Sequence, residues 1–231
     1  MRLLLVNANT SRSITDTLAA EARLSLPADW QLSTATGAFG AAVIQTRRDC
    51  AIAEHACIEA VEANLAEHAE GCDAVVVGVS LDTGLWALRE TLKVPVVGLL
   101  EASLLTACMV GGRYGLVVVG PQTVPLYREL VERHGLAARL AGIEAIAADA
   151  PAVQAAPEQF ELSLVEACNR LVEGGAECVI LVGAVVAGLH RRLQARVSVP
   201  LLDGMACAVT QACGLARLPL FRAEADGARL T

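Results

Sequence analysis

Asp73-Ala-Val-Val-Val-Gly-Val-Ser80-Leu-Asp-Thr-Gly84-Leu85 lies over Glu177-Cys-Val-Ile-Leu-Val-Gly-Ala184-Val-Val-Ala-Gly188-Leu189 when the chain is laid on itself at a constant offset of 104 residues, 73 onto 177. Each copy opens with a continuous aliphatic run, the mark of a parallel strand whose two faces are both covered. Each run breaks at a small residue, Ser80 or Ala184, and passes through a glycine into a helical pattern. Each copy then reaches Val-Pro and two more hydrophobic residues, Val94-Pro-Val-Val97 and Val199-Pro-Leu-Leu202. Val6-Asn-Ala-Asn-Thr10 likewise lies over Val119-Gly-Pro-Gln-Thr123. Repetition of this kind implies two related halves.

Working outward, Arg2 to Val6 reads as a strand that breaks into the polar turn Asn7 to Ser11. Ile14, Leu18 and Ala22 follow with helical spacing, and Ser13 with Asp16 resembles a capping box. Gln31–Ala35 is a second strand, Cys50–His68 a long helix, Ala74–Val79 a buried strand, Leu85–Leu92 a helix and Pro95–Gly98 a short strand. The order recurs with Tyr114–Gly120 as strand, Val124–His134 and Phe160–Glu173 as helices, and Cys178–Gly183 as strand. Leu189–Arg196 and Pro200–Leu202 follow. Strands alternating with helices predict βαβ crossovers and parallel sheets. The expected fold is α/β, with two pseudo-symmetric lobes, residues 1–98 plus 207–231 and residues 99–206. The Ala-rich segment after Cys207 is expected to fold back on the first lobe.

The 231 residues are 55% hydrophobic and 19% charged, with 3 Phe, 2 Trp and 2 Tyr, so the core is aliphatic. The longest clean apolar run, the 12 residues Cys178 to Leu189, is short of the roughly 20 that a spanning helix needs. Residues 3–6 are too short an apolar stretch for a signal peptide, and a cytoplasmic protein without membrane contact is expected. A net charge of −7 with only short basic pairs argues against nucleic acid as a partner. The eight cysteines sit among Ala, Val and Ile and read as buried free thiols. No Cys-x-x-Cys or His-x-x-x-His pair occurs, so no metal is expected. Aliphatic helix faces in so apolar a chain point to a homo-oligomer.

Ligands of open parallel sheets bind beyond the carboxyl ends of the strands. That rule selects Asn7 to Ser11, Ser80 to Gly84, Gly120 to Thr123 and Ala184 to Gly188, with Ser80 and Ala184 on opposite walls. Asn7, Asn9 and Thr10 either hold a carboxylate or imide or simply form the turn, and Thr123 is their counterpart. Ser80 is a nucleophile, a donor to the ligand, or a small residue ending a strand. Asp82 and Thr83 contact the substrate, cap the helix at Leu85, or do both. Gly84, Gly120, Ala184 and Val185 complete the expected substrate-binding set. His190 is a possible base for Ser80 or a solvated helix residue, and Glu101 a buried acid or a surface one.

Four stretches together resemble one family. They are Val6-Asn-Ala-Asn-Thr-Ser11, Asp82-Thr-Gly-Leu85 with Arg89-Glu90, Val94-Pro-Val-Val-Gly-Leu-Leu-Glu-Ala-Ser103, and Ala187-Gly-Leu189 with Pro200-Leu-Leu-Asp-Gly204. In this order they resemble the hydantoin racemase branch of the aspartate/glutamate racemase superfamily. The resemblance implies a two-lobe α/β fold, no cofactor and no metal. It also implies a two-base mechanism, in which a cysteine at the end of each equivalent strand exchanges a proton with an acidic α-carbon. Here those two positions are Ser80 and Ala184. A hydroxyl is a far poorer base than a thiol of pKa about 8.5, and a methyl group transfers no proton. The superfamily's arylmalonate decarboxylases keep the second cysteine, a variant that Ala184 does not match either. The expectation is a cofactor-independent enzyme of this family acting on a small carbonyl or carboxylate substrate at an acidic carbon. The alternatives are a lyase or hydrolase using Ser80, or a binding protein descended from an enzyme.

Overall fold

The structure, a computed structural model, describes residues 1–68 and 70–222. In chain order the elements are β1 (Arg2–Asn7), α1 (Arg12–Ser25), β2 (Gln31–Thr36), α2 (Arg47–Glu67), β3 (Ala74–Val77), α3 (Leu85–Thr91), β4 (Val96–Gly98) and α4 (Leu99–Val110). They continue with β5 (Tyr114–Val119), α5 (Val124–Arg133), β6 (Leu140–Ile146), α6 (Ala150–Ala155), α7 (Glu161–Glu173) and β7 (Cys178–Val182). The chain then forms α8 (Leu189–Leu193), β8 (Leu201–Asp203), α9 (Gly204–Leu215) and α10 (Pro219–Arg222). The stretch 223–231, assigned above to the first lobe, lies outside the described residues.

Two parallel four-stranded sheets result, ordered β2-β1-β3-β4 and β6-β5-β7-β8. The second order is the first repeated. Registers agree as well: Val75 pairs with Val96 where Val179 pairs with Leu201. The helices after β3 and β7 both start from a left-handed glycine, Gly84 at φ 83° and Gly188 at φ 82°, a conformation that costs glycine no steric penalty.

Several boundaries differ from the expected ones for identifiable reasons. Ser11, not Ser13, caps α1: its extended backbone lets its Oγ accept the Ile14 N–H, while Ser13 already lies inside the helix. The helix expected from Cys50 starts at Arg47, because Thr46 and Asp49 form a reciprocal capping box. β6, which the sequence pattern did not single out, is a half-buried edge strand in which only Ile146 is buried, so no apolar run marks it.

The central strands β1, β3, β5 and β7 are buried along their whole length. One continuous core joins Leu4, Val6, Val75 and Val77 of the first sheet to Leu116, Val118 and Ile180 of the second through Leu100, Leu104 and Ala107 of α4. Burying each of these side chains contributes about 1.5–3 kcal/mol for the larger ones. α9 packs its Ala208, Val209 and Ala212 with Leu3, Leu5 and Leu18, and Gln211 Nε2 donates to Ala102 O and Thr106 Oγ1. Among the described residues no helix is long and apolar enough to cross a membrane.

Candidate functional site

β3 ends at Val77 and the chain rises through Gly78 and Val79 to Ser80, where it reaches α5 of the other half. The hydroxyls of Ser80 and Tyr127 share a buried hydrogen bond of 2.8 Å. Burial pushes the Tyr127 phenol up to about 12, against the lowering influence of the Ser80 bond. The phenol therefore keeps its proton at neutral pH, and the two hydroxyls hold two hydrogens, one of which their mutual bond consumes. The other is available to an acceptor in the cavity.

That cavity, of about 50 Å³, is lined from both sheets: Asn9, Ile14, Ser80 and Leu81 from one, Thr123, Tyr127, Val182, Ala184 and Val185 from the other. Val43, Ile44 and Gln45, from the connection between β2 and α2, cover it. Ser80 and Ala184 line it together, and they line a smaller neighbouring space as well. Ala184 and Val185 make their side of the cavity apolar. Asn9 Oδ1 accepts from Asn7 Nδ2 at 2.8 Å and from the Ser11 N–H at 2.9 Å, which leaves the Asn9 amide nitrogen as the donor on offer.

The other expected contacts have different work. Asn7 is fully buried and knits the turn by donating also to Ser11 O and Thr15 Oγ1. Thr10 and Gly120 are not among the lining residues. Thr123 donates at 2.8 Å to Gly120 O, closing its turn at the cavity edge. Asp82 points away from the cavity: its carboxylate accepts the N–H groups of Leu100 at 3.0 Å and Glu101 at 2.9 Å, so it caps α4, not the helix at Leu85. Burial raises its pKa, with the His134 imidazole and the two N–H groups opposing. Thr83 and Gly84 face away as well, Thr83 toward a separate groove.

His190 does not reach Ser80. Its Nδ1 is 3.6 Å from Asp203 Oδ2, and Asp203 in turn accepts from Met205, Ala206 and Gly188. Burial disfavours the Asp203 carboxylate, but His190 and the Gly188 and Ala206 N–H groups overcome it and hold the pKa below the usual value. Glu101 is neither a cavity acid nor an exposed one: it forms a bidentate ion pair with Arg89. All eight cysteines are free, and none lines the cavity. Burial pushes Cys57 and Cys168 up to about 12 and Cys178 and Cys213 to about 11, so these thiols stay protonated.

Glu21, His190 and Asp203 bring ligand-type atoms within 4.8 Å of one another. The Arg191 guanidinium already forks onto the Glu21 carboxylate, so a cation there would have to displace it.

Tyr127 was missed in the sequence, although a signal existed. The overlay of Val6 on Val119 and Thr10 on Thr123, continued one helical turn, places Ile14 on Tyr127, and both line the cavity. Val43 to Gln45 carry no such mark.

Two like-ordered parallel sheets, with a cavity where the loops after their central strands meet, define a racemase-like α/β protein. The chain belongs to the Asp/Glu/Hydantoin racemase family, whose model matches residues 3–212. It is 32% identical over 217 residues to a hydantoin racemase of Paenarthrobacter aurescens, covering 91% of this chain and 90% of that protein. A hydantoin racemase of Rhizobium meliloti is 30% identical over 213 residues, 92% of this chain and 87% of the relative. Among solved structures, allantoin racemase from Pseudomonas fluorescens superposes with a TM-score of 0.88 at 30% identity, over 96% of both chains.

Proposed function

We propose that the cavity takes a small hydantoin-like carbonyl compound with an apolar substituent, and that the Ser80–Tyr127 pair donates the hydrogen bond that polarises its carbonyl. The spare hydrogen of this pair carries the reading. A donor aimed at developing negative charge in a water-poor site is among the stronger catalytic devices available to a protein. The hydantoin class comes from the relatives, and the apolar substituent from Ala184 and Val185.

Two-face proton exchange needs a base on each wall, and Ala184 offers none. The chemistry we propose is therefore one-sided: oxyanion stabilisation at the Ser80 wall while a water molecule adds to the ring carbonyl and the ring C–N bond breaks, the leaving nitrogen taking a proton from that water, in place of racemisation by paired thiols. A second reading, binding without turnover, draws on the cavity lining, which among the described residues contains no carboxylate, imidazole or thiol.

The test is NMR of hydantoins incubated with the protein in D2O, following α-proton exchange and new products for the native chain, Ser80→Ala, Tyr127→Phe and Ser80→Cys/Ala184→Cys. Ring-opened product from the native chain, lost in Ser80→Ala and reduced in Tyr127→Phe, supports the one-sided mechanism, and α-proton exchange without product rejects it. Saturable binding without either outcome supports the second reading. Unchanged activity in Ser80→Ala rejects the role given to the pair.

A further inference from the structure

Behind Leu81, away from the Ser80 cavity, a groove of about 360 Å³ runs between α2 and α5. Leu81, Leu126 and Leu130 give it an apolar floor, and Thr83, Glu54 and Arg133 bring polar groups to it. A recess of about 120 Å³ lined by Glu54, Leu81, Leu130 and Arg133 reaches Trp86.

Thr83 is 2% exposed, and its hydroxyl has no hydrogen-bond partner in the protein. Buried hydroxyls are normally satisfied, so one left without a partner in a residue that lines the groove points to a partner from outside the chain. The Arg133 guanidinium sits 5.8 Å from the centre of the Trp86 ring, which Arg89 approaches to 5.2 Å, and a guanidinium offers a planar fork suited to a carboxylate. Glu54 supplies the opposite charge, and the leucine floor supplies a place for a branched alkyl group. The outer edge is closed by the ion pair of Arg47 on α2 with Glu129 on α5.

We propose that this groove is a second ligand site, for a zwitterionic α-amino acid with an aliphatic side chain. Its carboxylate meets Arg133 and the Thr83 hydroxyl, its ammonium meets Glu54, and its alkyl group lies on Leu81, Leu126 and Leu130. The site is independent of the reaction assigned to the Ser80 cavity. Leu81 lines both spaces, so occupation of one bears on the wall of the other.

The experiment is calorimetric titration of the full chain with L-leucine and with its two halves, 4-methylpentanoate and 3-methylbutylamine. Leucine is expected to bind at least about tenfold more tightly than either half, because each half forgoes one of the two ionic contacts, with Arg133 or with Glu54. Arg133→Gln, Glu54→Gln and Thr83→Val are each expected to weaken leucine at least about fivefold, and Thr83→Ser and Ser80→Ala to leave it unchanged. Circular dichroism of each variant establishes that it is folded, and Thr83→Ser separates loss of the hydroxyl from loss of packing. No saturable heat with leucine, equal binding of a half-ligand, or binding lost in Ser80→Ala and kept in the groove variants would overturn the proposal.

Discussion

Asp82 and Asp203 cap helices at the same two amides from different places in the chain. Asp82 accepts the second and third N–H groups of α4, Leu100 and Glu101, and Asp203 accepts the second and third of α9, Met205 and Ala206. Asp203 does so from the end of its own strand, β8. Its structural counterpart at the end of β4 is Gly98, and Asp82 reaches across from the loop that carries Ser80 to fill the same role.

Gly98 makes room for this carboxylate, since a Cβ there would stand 2.5 Å from Asp82 Cγ. Gly98→Ala should therefore cost about 1–3 kcal/mol, the usual scale of overpacking. Asp82→Ala alone should cost roughly 1 kcal/mol as a lost cap. In the Asp82→Ala background the glycine substitution should become nearly neutral. Urea unfolding of the four proteins decides this, and equal costs in both backgrounds would show that Gly98 accommodates something else.

The two caps also differ in their response to acid. Asp203 is held below the usual carboxylate range, so its contribution is present above the unfolded value near 3.8 and is lost as pH falls through the folded pKa. Asp82 is raised by burial, so the folded state takes up its proton first and gains relative stability as pH falls. Asp203→Asn should flatten the acid limb of the stability curve, and Asp82→Asn should steepen it. Chemical unfolding followed from pH 7 to pH 3 would show which.

Tyr127 supplies the corresponding test at alkaline pH. Its folded pKa of about 12 lies above the ordinary phenol value of about 10, so the folded state holds the proton longer. The stability tied to it is full below pH 10 and falls as pH rises from about 10 to 12, by at most about 2.7 kcal/mol at 1.36 kcal/mol per unit. Absorbance titration of the native chain against Tyr127→Phe isolates this phenol. Because the Ser80 bond lowers the pKa, Ser80→Ala should move the midpoint further up. A downward move would contradict the hydrogen bond's assigned effect.

Ala184 and Val185 predict a preference that needs no turnover to measure. Each buried methylene is worth about 0.8 kcal/mol, so 5-isobutylhydantoin should bind at least about tenfold more tightly than hydantoin itself. Val185→Thr should narrow the gap. Equal affinities for the two hydantoins would remove the apolar wall from the account.

The fold was legible because β1, β3, β5 and β7 each carry a continuous aliphatic run and recur at fixed offsets. The candidate site was legible only at its strand ends, where Asn9, Ser80, Thr123, Ala184 and Val185 line one cavity. Asp82 and Thr83 misled because spacing places a loop residue near a site without saying which way its side chain turns. At Asp82 the answer lay in a glycine 16 positions on, Gly98, whose missing side chain draws the carboxylate to α4. Tyr127 stayed hidden because a tyrosine on an amphipathic helix reads as core, and only the partner hydroxyl of Ser80 gives its oxygen a purpose.

The tether from Asp82 to α4 bears on what residue 80 is free to be. Side chains at position 80 take no part in that tether, so the bend that presents residue 80 is built by its neighbours. Exchanging Ser80 for another small side chain leaves the bend in place. The chemistry of position 80 can thus change by a single substitution while the same bend presents the new group to the same space, with no refolding needed.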